Sequence, residues 1–361
     1  MQIVLRPSFN IVASFVFLVI LANFSIACRP KTTQQISSSQ PAVNHGQVKM
    51  VFYNLENLFD TINDPANPGD DDYTPNGKGK WTTDRYQHKL NNLWRVIEAT
   101  NDGQPPEIFG VCEVENNQVL TDLIHKTVLP DHYKTVHYPS PDERGIDVAL
   151  VYNPDIFTVL ESKNLNITLP NNDYTRDILW VHGKIANQYE LHIFLNHWPS
   201  RHSNDKTLSE GNRIKAATVL KTKCDAIFKK NPDANIIIMG DFNDHPNDKS
   251  IVETLGAKGI SAANNKTQLI NITAELDSTK GGSYRYQGKW ERIDQVIVSR
   301  AMVHKTAGLK VLPEETGYFK ADFMLYNDNK WGRMPNRTFG RDFKYFGGYS
   351  DHIPAYATFT W

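Results

Sequence analysis

IIIMGDFNDHP, residues 236–246, sets two aspartates, an asparagine and a histidine directly behind four apolar side chains. Three isoleucines and a methionine have the length and branching of a buried strand, and Gly240 marks where the backbone turns. Acids placed there, Asp241 and Asp244 with Asn243 and His245, sit at the end of a rigid element and are aimed at something.

The layout recurs along the chain. VFYNLENLFD (51–60) delivers Asn54 and Glu56, IFGVCEVEN (108–116) delivers Glu113, and IFLNHWPS (193–200) delivers His197. ERIDQVIVS (291–299) carries Asp294, and GGYSDHIPAYATF (347–359) carries Asp351 and His352. A histidine beside one apolar run is more often a satisfied structural side chain than a catalyst. Six such segments in one chain shift that balance.

Strands are expected at residues 48–53, 108–114, 146–152, 178–185, 191–195, 235–239, 292–298 and 354–359. Tyr86, Leu90, Leu93, Trp94 and Ile97 have helical spacing behind the cap candidates Thr82 and Thr83. Ile214, Ala217, Leu220, Cys224, Ile227 and Phe228 form a second helical stripe. Strands outnumber helices, so the helices are too few for a crossover at every step. The expected class is α/β, with mixed, largely antiparallel sheets and helices over their outer faces. No long repeat or second low-complexity break divides residues 48–361, which read as one domain.

The net charge of −1 gives no global positive field, so composition neither requires nor excludes a polyanionic partner. The N-terminus is unlike the rest. Arg6 precedes an apolar stretch at residues 11–24 and then SIAC, the layout of a secretory signal peptide over residues 1–27. Cys28 resembles the lipidated cysteine of a bacterial lipoprotein, although Ser25 stands where such sites usually carry leucine. Residues 28–47 read as a polar tether. The chain is therefore expected to be exported, anchored to a membrane through Cys28, facing the periplasm or the exterior, and monomeric. Cys112 and Cys224 have no metal-type spacing and read as buried hydrophobes.

GDFN at 240–243 and SDH at 350–352, in order with Glu113 and Asp294, carry a resemblance to the endonuclease/exonuclease/phosphatase superfamily over residues 48–361. It implies a four-layer sandwich, two mixed sheets flanked by helices, with the site where strand ends of both sheets meet. By the resemblance, Asp241 orients and deprotonates the attacking water while Asn243 donates its amide to a phosphate oxygen. His352 bonds the phosphoryl oxygen, with Asp294 holding its other nitrogen. His197 matches a second phosphate contact that is histidine in deoxyribonuclease-like members and tyrosine in apurinic endonucleases, which leans away from abasic-site repair. Glu113, Asn54, Glu56 and Asp351 offer hard oxygens without thiolate support, which favours Mg2+, Mn2+ or Ca2+ over zinc.

Arg144 and Asp147 in ERGIDVALVY, and Arg176 in DYTRDILWV, flank strands and are candidates either for phosphate contact or for pairing with acids. The acidic loop at residues 60–75 lacks the spacing of a calcium loop and reads as solvated. NGKGKW (76–81) lacks the full spacing of a phosphate loop. GGSYRYQGKW (281–290) and the aromatic, cationic segment 314–349 leave two readings open, stacking on substrate bases or packing on their own rings. The expected function is a metal-dependent phosphodiesterase acting on extracytoplasmic nucleic acid. The alternative is a phosphatase or sphingomyelinase-like headgroup phosphodiesterase, although no convincing apolar hairpin for membrane entry is present. A non-catalytic binding lipoprotein is the third class, and the presence of every matched catalytic residue argues against it.

Overall fold

A computed structural model describes residues 46–361 except 128–129, 171–172, 202–205, 263–267 and 277–280. The expected signal peptide, Cys28 and the tether up to residue 45 lie outside the described residues.

In chain order the elements begin with β1 (Gln47–Leu58), α1 (Thr83–Ala99), β2 (Ile108–Val114), α2 (Asn117–Ile124), β3 (Lys134–His137) and β4 (Asp147–Tyr152). Next come β5 (Phe157–Leu165), β6 (Ile178–Ile185), β7 (Tyr189–His197), α3 (Lys206–Lys230), β8 (Ile236–Asp241), β9 (Ala257–Lys258) and β10 (Leu269–Asn271). The chain ends with β11 (Tyr284–Tyr286), β12 (Lys289–Glu291), β13 (Asp294–Ser299), α4 (Arg300–His304), β14 (Lys310–Tyr318), β15 (Leu325–Asp328), β16 (Gly332–Pro335) and β17 (Ala355–Thr360). The first sheet runs β14-β17-β1-β2-β4-β3 and the second β5-β6-β7-β8-β13-β10-β9. Two short hairpins, β11–β12 and β15–β16, stand outside them.

Each sheet has a parallel pair at its centre, β1 with β2 and β7 with β8, bridged by α1 and α3 respectively. Most other pairings are antiparallel, as too few helices for crossovers demand. One apolar cluster fills the space between the sheets. A second lies between the first sheet and α1 with α2, and a third between the second sheet and α3, which gives four layers. The α1 stripe of Tyr86, Leu90, Leu93, Trp94 and Ile97 is buried, and Thr82 caps the helix by accepting from Arg85 N. Each such side chain contributes about 1.5–3 kcal/mol by leaving water. Cys112 and Cys224 are free and buried. Among the described residues no helix is long and apolar enough to cross a membrane.

The four edges of the two large sheets, β14, β3, β5 and β9, are all absent from the sequence expectations, as is the three-residue β10 beside β9. An edge strand needs fewer apolar residues, and β14 carries Pro313 inside an irregularity in its ladder with β17.

Candidate active site

The site is built where core-facing rows of side chains run out of apolar residues. Side chains alternate along a strand, so Ile193 and Leu195, which face the inter-sheet core, are followed on the same face by His197. Ile237 and Met239 lead likewise to Asp241, Val298 and Val296 to Asp294, and Met50 and Phe52 to Asn54. Register then aligns them. His197 pairs across the ladder with Asp241, and Asp241 with Asp294.

The first sheet delivers its residues through irregular backbone. Glu113 is the extra residue of a bulge between Cys112 and Val114, and β1 shifts register between Asn54 and Leu58 at the same height. Glu56, Asn57 and Glu113 all have positive φ, of 51°, 53° and 61°. Left-handed non-glycine residues are costly and cluster where a side chain must be re-aimed. Here Asn57 N donates to Glu113 Oε2 at 2.9 Å and Glu56 N donates to Asn54 Oδ1 at 2.9 Å, which locks the bulge.

Three nitrogens converge on Asp241 Oδ2: Asn54 Nδ2 at 3.2 Å, and His197 Nε2 and His352 Nε2 at 3.7 Å each. His352 Nδ1 lies 2.7 Å from Asp294 Oδ2. Burial works against charge on His352, but Asp294 and Asp241 outweigh it and hold its pKa well above the ordinary value. His197 goes the other way. Burial, then the charge of Arg176, keeps it well below, so it is neutral and its contacts with Asp241 and Glu113 are dipolar rather than ionic. Its proton is assigned to Nε2, the nitrogen that faces both carboxylates. Burial, then Asp294, pushes Asp241 up to about 7. Burial also acts to raise Glu113, but opposing charges led by Arg144, 3.2 Å from Oε2, win and hold it well below the carboxylate range.

Several expected site residues have other partners. Both Glu56 oxygens accept backbone donors, Thr338 N at 2.7 Å and Phe339 N at 3.2 Å. Its carboxyl is pushed up to about 8 by burial and Asp351; it lines the same cleft as Glu113 and Asp351, with both oxygens already bonded to backbone. Asn54 directs nitrogen, not oxygen, at Glu113 and Asp241, bridging the two acids. Arg176 is buried and committed to Asp142 at 2.8 Å and to the carbonyls of His197 and Trp198, where it clamps the end of β7. Asp147 is buried against His137. Asn243 is not in extended backbone. Its φ is 50°, its N–H donates to Asp241 Oδ1 at 2.9 Å, and one amide hydrogen goes to Trp198 O at 3.0 Å. Asp244 pairs with Arg213 at 2.6 Å and Ser250, behind the site.

Beside this cluster, reached through Glu113, is a cleft of about 630 Å3 lined by Glu56, Glu113, Arg144, Arg337, Asp351 and Phe343 among others. Arg337 holds Asp351 at 3.0 Å and donates to Tyr284, whose ring lies 5.0 Å from that of His352. Asn57, which also accepts from Arg144, and Arg337 have roles that no sequence pattern indicated. Asn57 sits in the bulge, outside any period-two row. Arg337 lies in segment 314–349, whose Phe339, Phe343, Tyr345 and Tyr349 pack largely on the first sheet's outer cluster.

Two arrangements compete for a cation. Asp241, Asp294 and His352 place ligand atoms within 4.8 Å of one another. A proton on His352 Nδ1 bonds Asp294, and a protonated imidazole is no ligand. Glu113, kept ionised and open to a cleft it shares with Asp351, fits a hard divalent cation better, and no thiolate lines that cleft. Two carboxylates interleaved with two imidazoles beside such a cleft, on a four-layer sandwich, define the class of phosphoesterases.

The comparisons give the family. The profile described as "Endonuclease/Exonuclease/phosphatase family" matches residues 49–360, and the chain belongs to that family, whose members are divalent-metal-dependent phosphoester hydrolases. Similar solved structures include TDP2 of D. rerio humanized by 14 mutations, with 15% identity over 87% of this chain and 99% of that one, at a TM-score of 0.54. The mannosyl-6-phosphatase Bt3783 of Bacteroides thetaiotaomicron has 16% identity over 87% and 100%, at 0.51. The human Nocturnin catalytic domain has 14% over 88% and 95%, at 0.53. At such identities the likeness is one of fold. No curated protein sequence matches the chain.

Proposed function

We propose that the chain is a phosphodiesterase that cleaves nucleic acid outside the cytoplasm, held at a membrane by Cys28. The observation that carries the chemistry is the convergence of Asn54, His197 and His352 on one oxygen of Asp241. Donors arranged around an anionic oxygen suit a phosphate entering the same space. Charged His352, fixed by Asp294, and neutral His197 would each donate to a non-bridging oxygen. Asp241, fixed by Asn54 and by Asn243 N and pushed up to about 7 by burial and Asp294, would take a proton from the attacking water. Glu113, with Asp351 across the cleft, would hold a divalent cation, which would supply the positive charge that a phosphodiester needs neutralised. The exported setting is supported by Arg6, the apolar residues 11–24 and SIAC.

The test is turnover by purified protein of plasmid DNA, RNA, an aryl phosphodiester, a phosphomonoester and sphingomyelin, with Mg2+ or Mn2+ and with chelator. Nucleic-acid cleavage abolished by chelator is expected. Turnover of the monoester or sphingomyelin alone would move the substrate to the alternative class, and no turnover would return the chain to a binding role. Labelled fatty acid should enter the wild type and not Cys28→Ala; a soluble mature chain would replace anchoring with secretion.

A further inference from the structure

The β11–β12 hairpin has two unlike faces. Its turn, Gln287 and Gly288, has φ of 48° and 81°, the pair of positive values that a tight two-residue hairpin requires. Arg285 and Trp290 pair across the ladder and form the back. Arg285 donates to Arg333 O on β16 and lies 5.3 Å from the Trp290 ring, and a Cβ on Gly288 would sit 3.3 Å from Trp331. The β15–β16 hairpin is thus a buttress, with its own start packed down through the buried Met324. Tyr284, Tyr286, Lys289 and Glu291 alternate onto the opposite face.

That front face leads away from the reacting phosphate. Tyr284 bridges the His352 backbone and tilts over its ring at 5.0 Å. Tyr286 follows on the same face about 7 Å farther out at the rise of a strand. It is 49% exposed, with exposed Lys289 directly opposite. The acid on this face, Glu291, is neutralised by Arg201. An aromatic plane and a cation at the end of a braced finger match one nucleotide unit, a base to stack and a phosphate to pair.

Resting on the nucleic-acid reading above, we propose that Tyr286 and Lys289 form a subsite for a nucleotide flanking the scissile phosphate of a single strand. The test measures KM for a single-stranded oligonucleotide and for a small aryl phosphodiester, with folding checked by circular dichroism. Tyr286→Ala should raise KM for the oligonucleotide about 5- to 150-fold, the range of one lost base stack, and raise it much less for the aryl diester. Tyr286→Phe should stay near wild type. Lys289→Ala should reduce the slope of log KM against log salt by about 0.7, the value for one phosphate contact on a single strand. Tyr326→Ala, 40% exposed on the buttress, should change neither KM. Unchanged oligonucleotide KM in Tyr286→Ala, or an equal loss in Tyr326→Ala, would overturn the subsite while leaving a nuclease. Wild-type turnover of the aryl diester without any oligonucleotide cleavage would remove the nucleic-acid reading and the subsite together.

Discussion

The second sheet brings His197, Asp241 and Asp294 to the site on unbroken ladders, whereas the first sheet brings Asn57 and Glu113 through a coupled pair of bulges that begins just past the in-register Asn54. In the proposed mechanism the regular half holds the groups that would move protons and touch phosphate, in the middle of a hydrogen-bonded row. The bulged half holds the groups that face the cleft. Its left-handed residues carry a cost of about 1–3 kcal/mol each, offset by the hydrogen bonds that Asn57 N and Glu56 make locally. A ladder fixes spacing between strands; a bulge re-aims one side chain at the space between sheets.

If that division of labour holds, substitutions in the two halves should fail differently. The largest loss of turnover is expected for Asp241→Asn, on the order of 10² to 10⁴-fold with KM little changed, as removal of a general base requires. Asp294→Asn should lose roughly 10²-fold, the lower end of acid–base contributions, and shift the alkaline limb of the pH–rate profile. The sign follows from the charges. Asp294 helps hold the proton on His352, so without it the buried imidazole discharges at lower pH and activity falls earlier as pH rises. An alkaline limb that does not move would detach Asp294 from His352 in function.

In the bulged half, Glu113→Gln should raise the Mg2+ concentration for half-maximal activity by at least about 10-fold, the least that losing a supporting partner of a ligand costs. Activity at saturating Mg2+ should recover. A metal titration that superimposes on wild type would make Glu113 structural. The smallest effects on turnover belong to residues behind the motif. Asp244→Ala should strip buried Arg213 of its carboxylate partner and lower stability by about 3–5 kcal/mol in a denaturant titration, with turnover per folded molecule reduced far less than in Asp241→Asn. His245→Ala, which loses a contact with Arg201, should be milder still.

The same contrast explains what could be read from sequence. Every expected strand in the sheet interiors forms, because buried strands must be apolar, and the rows ending in His197, Asp241 and Asp294 obey a period of two that is visible as letters. Glu56 and Glu113 both follow apolar runs and look alike as letters. A register shift of the kind seen after Asn54 leaves no letter pattern; both carboxylates line the cleft, but the oxygens of Glu56 are taken up by Thr338 N and Phe339 N. The roles of Arg337 and Tyr284 depend on contacts between segments distant in the chain, and no local spacing encodes those.

The account turns on Asp241 as the base, and the pH–rate profile of Asp241→Asn at saturating Mg2+ tests it most directly. The wild-type carboxyl is pushed up to about 7 and must lose its proton to act, so activity should rise with pH through an acid limb that a bound cation draws below that value. In a folded Asp241→Asn variant that limb should vanish along with most of the turnover. A folded variant that keeps both the acid limb and near-wild-type turnover would contradict the assignment.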